Sequence, residues 1–258
     1  MRFTSLSLAS KAPVLRLGPL EDRAEYNSLL HFEEQFNVSA ERGVLAQLRA
    51  SIDPIHHTLA DRLDNLGITD WDVWADQKTP ATDVISERPD ATVLDLGGFA
   101  TADEPLVVAL AVLDDLWTRR EERRPVLLII DEAHNLCSPD LETPLGRAVR
   151  EQLIRITAEG RKFGLWLLLS TQRPSEVHRS IISQCDNLAL MRMRSPRDLA
   201  ELASILGFAP EPLVAQSPQF KQGMALFAGG FIDAPTVLQI GARVTFEGGT
   251  DVGVPLRG

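Results

Sequence analysis

Hydrophobic positions in the second part of the chain alternate between short aliphatic runs and helical spacing. Aliphatic runs of five or six residues predict buried strands, and apolar residues three or four positions apart predict helices. The predicted strands are Ala91–Leu96, Val126–Ile130, Leu165–Leu169 and Asn187–Met193. The predicted helices cover 105–117, 145–156 and 196–207. This alternation predicts an α/β fold, with right-handed crossovers and a mostly parallel sheet covered by helices on both faces.

The two ends of the chain show other patterns. In residues 1–89, which are acidic and predicted to be mostly helical, the clearest helix has Asp53 as its N-cap and ends at Gly67. Ser39 is predicted to cap a second helix, and residues 71–89 are predicted to be a loop. Near the C-terminus, two apolar runs flank a glycine pair and predict an antiparallel β-hairpin. The runs are Met224–Ala228 and Val237–Val244. We therefore expect a helical region over 1–89 and an α/β half over 90–258.

Charge and composition argue against some classes of function. The chain has 26 Lys+Arg against 36 Asp+Glu, a formal net charge of -10. That balance argues against a protein that coats nucleic acid with its whole surface, although a narrow basic channel remains compatible with it. No apolar run approaches the roughly 20 residues that span a bilayer. Cys137 and Cys185 lie far apart, without metal-ligand spacing. We expect a cytoplasmic protein with reduced thiols and no membrane partner.

The strand Val126–Ile130 ends in a pair of carboxylates, Asp131 and Glu132. A branched aliphatic strand followed by Asp-Glu is the Walker B pattern, in which the first carboxylate faces a Mg²⁺ shell and the second polarises a water. Asp131 is thus the candidate metal ligand and Glu132 the candidate catalytic base. The alternative is an acidic pair that only ends a strand and caps the next helix.

A second predicted strand, Leu165–Leu169, ends in Ser170, Thr171 and Gln172. Ligands of open parallel sheets bind where the carboxyl ends of strands meet, so these polar groups are expected beside the acidic pair. Gln172 is the candidate catalytic contact to a γ-phosphate or attacking water, and Thr171 is a further nucleotide-binding candidate. The alternative is an ordinary polar turn stopped by Pro174.

Between these strands, Gly160 and Gly164 bracket a short basic segment that contains Arg161 and Lys162. Glycines allow a sharp turn that pushes both cations outward, as a residue reaching phosphates in a neighbouring subunit requires. Arg161 is the catalytic candidate, and Lys162 is a candidate nucleotide contact or substitute finger. The alternative is a solvated basic turn at a helix C-terminus.

Three segments, in this order and at this spacing, resemble the HerA branch of the HerA/FtsK ATPases. They are Ile130–Asn135, Ala158–Gly164 and Ser170–Pro174, and the resemblance covers about residues 90–250. It implies a RecA-like P-loop NTPase core, ATP and Mg²⁺ as cofactors, a hexamer, and double-stranded DNA moved through a central pore. A nuclease is a further candidate partner. The resemblance also places Arg161 at the family's trans-acting basic position.

The sequence departs from that family at one decisive point. The family carries a Gly-x-x-x-x-Gly-Lys-Ser/Thr loop on the first strand of the core, and this sequence contains no such string. Gly97 and Gly98 are followed by no lysine at the required place. We expect the chain to begin inside the ATPase domain, to lack the central first strand, and to expose an aliphatic strand edge. The isolated chain is expected to be inactive.

Two other readings of the chain stay open. It is either a silent interaction module that keeps the fold, or an ATPase of the same fold that remodels protein or packages a nuclease instead of moving DNA. The histidine pair His56-His57 is predicted to lie at the surface, and Trp71 and Trp74 are predicted to be packing groups. Arg192 and Arg194 follow a predicted strand and could face nucleotide, a neighbouring subunit or DNA.

Overall fold

The computed structural model describes residues 1–31, 41–75 and 78–245. The chain divides into two compact units, Met1–Gln184 and Cys185–Gly258. In the described part of the first unit, the helices are α1 Leu8–Val14, α2 Arg23–Leu30, α3 Glu41–Ala50, α4 Pro54–Asn65, α5 Ala81–Ser86, α6 Asp103–Thr118, α7 His134–Cys137, α8 Pro144–Glu159 and α9 Arg179–Ile182. Its strands are β1 Val126–Ile130 and β2 Leu165–Leu169.

The described part of the second unit contains α10 Pro196–Ile205 and α11 Glu211–Val214, with strands β3 Asn187–Leu190, β4 Met224–Gly229 and β5 Thr236–Gln239. Short 3₁₀ turns occupy Ile68–Asp70, Arg120–Glu122, Gly160–Phe163, Pro174–Glu176 and Ser217–Gln219. The predicted α/β class is therefore confirmed. No helix of the described residues is long and apolar enough to cross a bilayer.

Strands β1 and β2 pair in parallel, with Val126 opposite Leu165 and Ile130 opposite Leu169. Alternate residues of each strand face opposite sides of the sheet. On the inner side, α8 packs against β2, and α6 packs beside α8. Because all positions from Leu106 to Leu113 of α6 are buried, that helix is covered around most of its circumference.

The helical N-terminal region packs against this α/β part. In α4, the Asp53 side chain accepts a hydrogen bond from the Ile55 amide, as its predicted N-cap role requires. Glu104 lies in the first turn of α6 and is 1% exposed. Its carboxylate accepts from the amides of Asp72 and Thr101 at 3.0 and 2.9 Å, so it joins the N-terminal region to α6.

The second unit is built on an antiparallel sheet in which β4 lies between β3 and β5. The predicted hairpin is therefore confirmed, although its second strand is shorter than predicted and ends at Gln239. Gly229 has a φ of 112°, and a Cβ there would lie 2.2 Å from the Asp186 carbonyl oxygen. Only glycine therefore fits at position 229, the last residue of β4, which lies close to the backbone at the start of β3.

One predicted strand is absent, and another forms but pairs differently from the prediction. Ala91–Leu96 forms no strand, and Val93 is 90% exposed, because the segment finds no partner strand among the described residues. Asn187–Met193 was expected in the parallel sheet, yet β3 pairs antiparallel with β4. There Leu190 lies opposite the fully buried Leu226, so burial in the second unit determined its pairing.

Two smaller predictions also differ from the structure. Residues 71–89 include the short helix α5 as well as loop. His56 is only 8% exposed, and its Nδ1 lies 2.7 Å from Ser51 Oγ, within hydrogen-bond distance. Its neighbour His57 is exposed, as predicted for both. Ser39, predicted as an N-cap, lies outside the described residues. Trp74 is buried and packs edge-on against Phe3, as predicted for a packing group.

Helices cover only one side of the parallel pair within the described residues. The other side, which we call the outer face, consists of Leu127, Ile129, Trp166 and Leu168. These side chains are 56%, 64%, 51% and 47% exposed. The expectation of helices on both faces is thus wrong for the described chain, and apolar surface lies open on the sheet face.

Candidate functional site

The carboxyl ends of β1 and β2 are held together by backbone hydrogen bonds beyond the strands themselves. The amide of Ser170 donates to the carbonyl of Ile130 at 2.9 Å, and the amide of Ala133 donates to the carbonyl of Ser170 at 2.8 Å. These bonds place the residues after β1 directly beside those after β2. The structure therefore brings together the acidic pair and the polar segment that the sequence placed at two strand ends.

Glu132 lies at the centre of this group. Its amide donates to Asp131 Oδ1 at 3.0 Å, and its Oε1 accepts from Gln172 Nε2 at 3.0 Å. The backbone of Glu132 has a φ of 47°, the left-handed region that side-chain-bearing residues seldom adopt. The turn thus directs the Asp131 and Glu132 side chains differently, and Gln172 holds the Glu132 carboxylate in place.

His134 also belongs to this group, although its place in the sequence alone predicted no role for it. Its Nδ1 lies 3.1 Å from Thr171 Oγ1 and 3.4 Å from Glu132 Oε2. The His134 side chain is only 16% exposed, whereas that of Glu132 is 41% exposed. Its place in the Asp-Glu-Ala-His string was the signal available in the sequence. His134 therefore contacts both strand ends from one half-buried position.

The donor set at this edge suits a hard divalent cation with few protein ligands. Asp131 is exposed. Asp131 and Glu132 follow β1 at the same edge of the sheet where the hydroxyl-bearing Ser170 and Thr171 follow β2. Magnesium prefers oxygen ligands and usually takes one or two carboxylates, completing its shell with phosphates and water. No cluster of three or more His, Cys, Asp or Glu residues that could cage a metal occurs in the described residues. The site fits Mg²⁺ only in company with a phosphate ligand.

The basic segment forms a tight 3₁₀ turn, Gly160–Phe163, directly before β2. Gly160 is buried, and a Cβ there would lie 3.0 Å from the Leu165 side chain; Gly164 has a φ of 84°. Both glycines are therefore required by the turn. Arg161 and Lys162 are exposed on it, as predicted.

An aromatic cluster anchors this turn to α6. The rings of Trp117 and Phe163 meet edge to face at 5.8 Å, and the guanidinium of Arg120 lies over both rings. The guanidinium of Arg155 also lies over the Trp117 ring, 5.7 Å from its centre. Edge-to-face and cation–π contacts of this kind stabilise and rigidify a turn.

The basic turn and the acidic pair lie at opposite edges of the sheet. Arg161 and Lys162 precede the first residue of β2, whereas Gln172 and the acidic pair follow the strand ends. The five residues of a strand span about 17 Å, more than an arginine side chain reaches. The structure thus assembles Asp131, Glu132, Thr171 and Gln172, and it leaves Arg161 and Lys162 apart from them. Arg192 and Arg194 lie in the second unit after β3, and both are exposed.

Comparison with known proteins gives relatives for half of the chain. A probable helicase of Methanocaldococcus jannaschii is 31% identical over 150 residues, 56% of this chain and 28% of that protein. The DNA double-strand break repair helicase HerA of Sulfurisphaera tokodaii is 32% identical over 153 residues, 55% of this chain and 30% of that protein. The chain thus spans under a third of the length of these relatives. No family model matches it.

Among solved structures, the genome packaging NTPase B204 of Sulfolobus turreted icosahedral virus 2, in complex with AMPPCP, is 20% identical with a TM-score of 0.41. The alignment covers 52% of this chain and 62% of the viral one, a similarity too low to carry an argument. The sequence relatives are closer, and several of them are named HerA. Over about half of its length the chain is therefore similar to HerA-type helicases, and its resemblance to the HerA/FtsK-type ATPases is confirmed.

Proposed function

We propose that this chain supplies the Walker B half of an ATPase motor subunit that uses ATP hydrolysis to move double-stranded DNA. One observation carries the proposal: Asp131, Glu132 and Gln172 meet at the carboxyl edge of a parallel strand pair, with a 3.0 Å hydrogen bond between the last two. The names of the relatives, helicases and HerA, support DNA as the substrate. A cytoplasmic hexamer with a nuclease partner belongs to the same proposal.

Each residue has a role in that chemistry. Glu132 accepts the proton of the attacking water, and the Gln172 amide orients that water or the γ-phosphate. Thr171 contacts the nucleotide, and Asp131 is the residue that would hold Mg²⁺. A bound Mg²⁺ would neutralise charge on the phosphates. Arg161, at the opposite edge of its own sheet, serves the nucleotide site of a neighbouring subunit, with Lys162 as the nearest substitute.

The isolated chain and a completed enzyme are expected to behave differently. Because the chain has no lysine-bearing phosphate loop, calorimetric titration of the chain alone should show weak Mg-ATP binding, if any. A chimera then places this chain behind the portion of the Methanocaldococcus jannaschii probable helicase that precedes the similar segment. We expect the chimera to hydrolyse ATP and to do so faster with linear duplex DNA.

The controls separate the motor from its alternatives. Glu132→Gln in the chimera should keep ATP binding while turnover falls by about 10²–10⁴. If the chimera folds but its ATP turnover is the same with and without duplex DNA, the proposal that DNA is the substrate is contradicted. Micromolar ATP binding with turnover by the isolated chain would show that a phosphate site exists elsewhere in it.

A second candidate function is a silent interaction module. The missing phosphate loop favours it, because nothing in this sequence matches the segment that cradles β- and γ-phosphates. Under this reading, the fold and its surfaces serve assembly alone. A chimera that folds and binds its partners while Glu132→Gln changes no measurable activity would support it.

A further inference from the structure

The basic turn is fixed at its ends by the strands, while its middle needs another anchor. The amide of Val126 donates to the carbonyl of Gly164 at 2.9 Å, which ties the end of the turn to β1. Gly160 begins the turn and Gly164 follows it, and glycine restricts the backbone less than any other residue. The direction of the Arg161 side chain therefore depends on what holds the turn between these glycines.

Phe163 provides that anchor through its contact with the indole of Trp117. The two rings meet edge to face, with their centres 5.8 Å apart and their planes at 81°. Aromatic pairs in this arrangement attract each other beyond the effect of area burial alone. Trp117 belongs to the last turn of α6, in which all residues of Leu106–Leu113 are buried. The contact thus joins the turn to a helix that is firmly packed in the core.

Arg120 strengthens this ring contact. Its guanidinium carbon lies 4.7 Å from the centre of the Trp117 ring and 5.5 Å from the centre of the Phe163 ring. A cation near both rings attracts both of them, and it does so more strongly where water is excluded. The Arg120 side chain is only 30% exposed, and its Nη1 donates to the Trp117 carbonyl at 2.8 Å. Arg120 is therefore itself held in the place from which it contacts both rings.

Three elements meet at Trp117. The guanidinium of Arg155, on α8, lies over the same ring, so the turn is joined through one indole to α6 and to α8. Arg161 and Lys162 remain exposed on the turn. A rigid support beneath an exposed cation is what a preorganised donor requires, because a fixed donor needs no reorganisation when charge develops on its partner.

We infer that Trp117, Arg120 and Phe163 are positioning residues that fix the basic turn and thereby direct Arg161 towards a phosphate bound to a neighbouring subunit. The inference rests on the proposed function for the identity of that phosphate, while the rigidity of the turn is independent of it. The three residues act through Arg161 and take no part in the reaction themselves. Loss of the ring contact should leave the cation present but let its direction vary, which weakens an interaction made in the transition state.

A spin label on the turn tests its rigidity in the full chain without nucleotide. The label is attached at Lys162→Cys in a chain that also carries Cys185→Ser. The other native cysteine, Cys137, is 0% exposed and therefore does not react. Electron paramagnetic resonance then measures how fast the turn moves. A second label at Glu151→Cys, exposed on α8, is the matched control.

Trp117→Leu and Arg120→Met should each make the label at position 162 move faster. Trp117→Phe keeps an aromatic ring beside Phe163 and should keep most of the slow motion. The control label should move equally in all of these variants. Unchanged motion at position 162 in both Trp117→Leu and Arg120→Met would overturn the inference. If Trp117→Leu does not fold, Arg120→Met decides, because Arg120 is partly exposed just beyond the end of α6.

Turnover in the chimera tests whether the fixed turn acts through Arg161. Trp117→Leu should lower kcat about tenfold without changing the KM for ATP, because the contact that it loosens is made in the transition state. In a chain that already carries Arg161→Ala, Trp117→Leu should lower kcat no further, since nothing is left to position. Trp117→Phe should keep most of the rate.

The two measurements separate the possible failures. If the losses from Trp117→Leu and Arg161→Ala multiply in the double variant, Trp117 acts independently of Arg161 and the inference is overturned. Full turnover of Trp117→Leu, where Arg161→Ala is slow, would overturn it as well. Full turnover of Arg161→Ala would contradict the role of Arg161 in the proposed function, whereas unchanged label motion would contradict the positioning alone.

Discussion

At the scale of single residues, the candidate site depends on the backbone conformation of Glu132, which residues with a Cβ seldom adopt. Glu132 adopts a left-handed φ of 47° between a strand and a short helix. For a residue with a Cβ this conformation costs about 1–2 kcal/mol. Such strain is often found at functional sites, where the surrounding structure maintains it. Here the continued backbone ladder between Ala133 and Ser170 maintains it.

A matched pair of variants measures this strain. Glu132→Gly and Glu132→Ala both remove the carboxylate and its bond to Gln172, but only glycine adopts the left-handed region freely. We expect the glycine variant to be more stable than the alanine variant by about 1 kcal/mol in urea unfolding. Equal stabilities, or a more stable alanine variant, would contradict a strained turn at this position.

His134 is the residue whose role emerged from the structure. Because it contacts both Thr171 and Glu132, we propose that it positions the Glu132 carboxylate, the base of the proposed function. In the ATP-competent chimera, His134→Ala should lower kcat about 3- to 10-fold with little change in KM, because one orienting hydrogen bond is lost. His134→Asn, whose side-chain nitrogen can occupy the place of Nδ1, should recover most of the rate.

The control for that experiment is His57→Ala, which removes an exposed histidine of α4 whose ring bonds the Ser51 carbonyl, and it should change neither constant. A KM effect equal to the kcat effect would indicate that His134 contributes to ground-state nucleotide binding. Loss of activity in the asparagine variant as large as in the alanine variant would contradict the positioning role.

At the scale of elements, one buried carboxylate joins the helical region to the α/β part. Glu104 accepts from two amides and from the Thr101 hydroxyl, the last at 3.1 Å. Glu104→Leu leaves three donors without an acceptor and should lower the unfolding free energy by about 2–4 kcal/mol in chemical denaturation. Glu104→Gln keeps one acceptor oxygen and should cost less. Glu121→Leu, at a position whose side chain is 69% exposed, should stay within about 0.5 kcal/mol of the parent.

A second carboxylate makes the packing of α2 and α4 depend on pH. The Gly18 amide, and then Arg62, lower the pKa of Asp22 below its usual 3.8. Both hydrogen bonds are 2.8 Å long. Because the folded pKa is the lower one, the ionised carboxylate stabilises the fold above the unfolded value, and this stabilisation disappears as the pH falls through the folded value.

Asp22→Asn should therefore lower stability by about 1 kcal/mol near neutral pH, where part of the interaction is screened by solvent. The difference from the parent should shrink as the pH falls below about 4 and vanish once both states are protonated. Urea unfolding across that range measures it. If the stability difference between Asp22→Asn and the parent stays constant down to low pH, the effect comes from the shape of the side chain and not from its charge.

At the scale of the whole molecule, the separation of the basic turn from the acidic pair predicts how subunits cooperate. Arg161 lies about one strand length from the carboxyl edge of its own sheet. In the completed enzyme, Arg161→Ala and Glu132→Gln should each reduce turnover, and mixing the two variants should restore part of it. Mixed rings contain interfaces where an intact Glu132 meets an intact Arg161 of the adjacent subunit.

The complementation has clear controls. Each variant alone must be folded and oligomeric, because an unfolded Arg161→Ala subunit would also give no activity. Mixed rings that stay at the level of the single variants would contradict a trans role. If Arg161→Ala alone is fully active, Lys162, which lies on the same exposed turn, becomes the candidate for the contact to the neighbouring subunit's nucleotide.

Local pattern in the sequence determined many elements of the fold. The aliphatic runs of β1 and β2, the caps Asp53 and Ser195, and the glycines around the basic turn all depend on neighbours within a few residues. The motif strings alone indicated the nucleotide chemistry and the family resemblance. These features follow from short-range sterics and burial, which a single sequence displays directly.

Only the tertiary structure decided which strands pair and what stays uncovered. Strand pairing depends on partners distant in sequence, so Ala91–Leu96 reads as a strand yet forms none, and β3 joins β4 instead of the parallel pair. The bonds of His134 and the distance from Arg161 to the acidic edge likewise depend on register between β1 and β2. The sequence did not predict the open outer face either. An apolar run shows that a strand can be buried, but it does not show which element covers it.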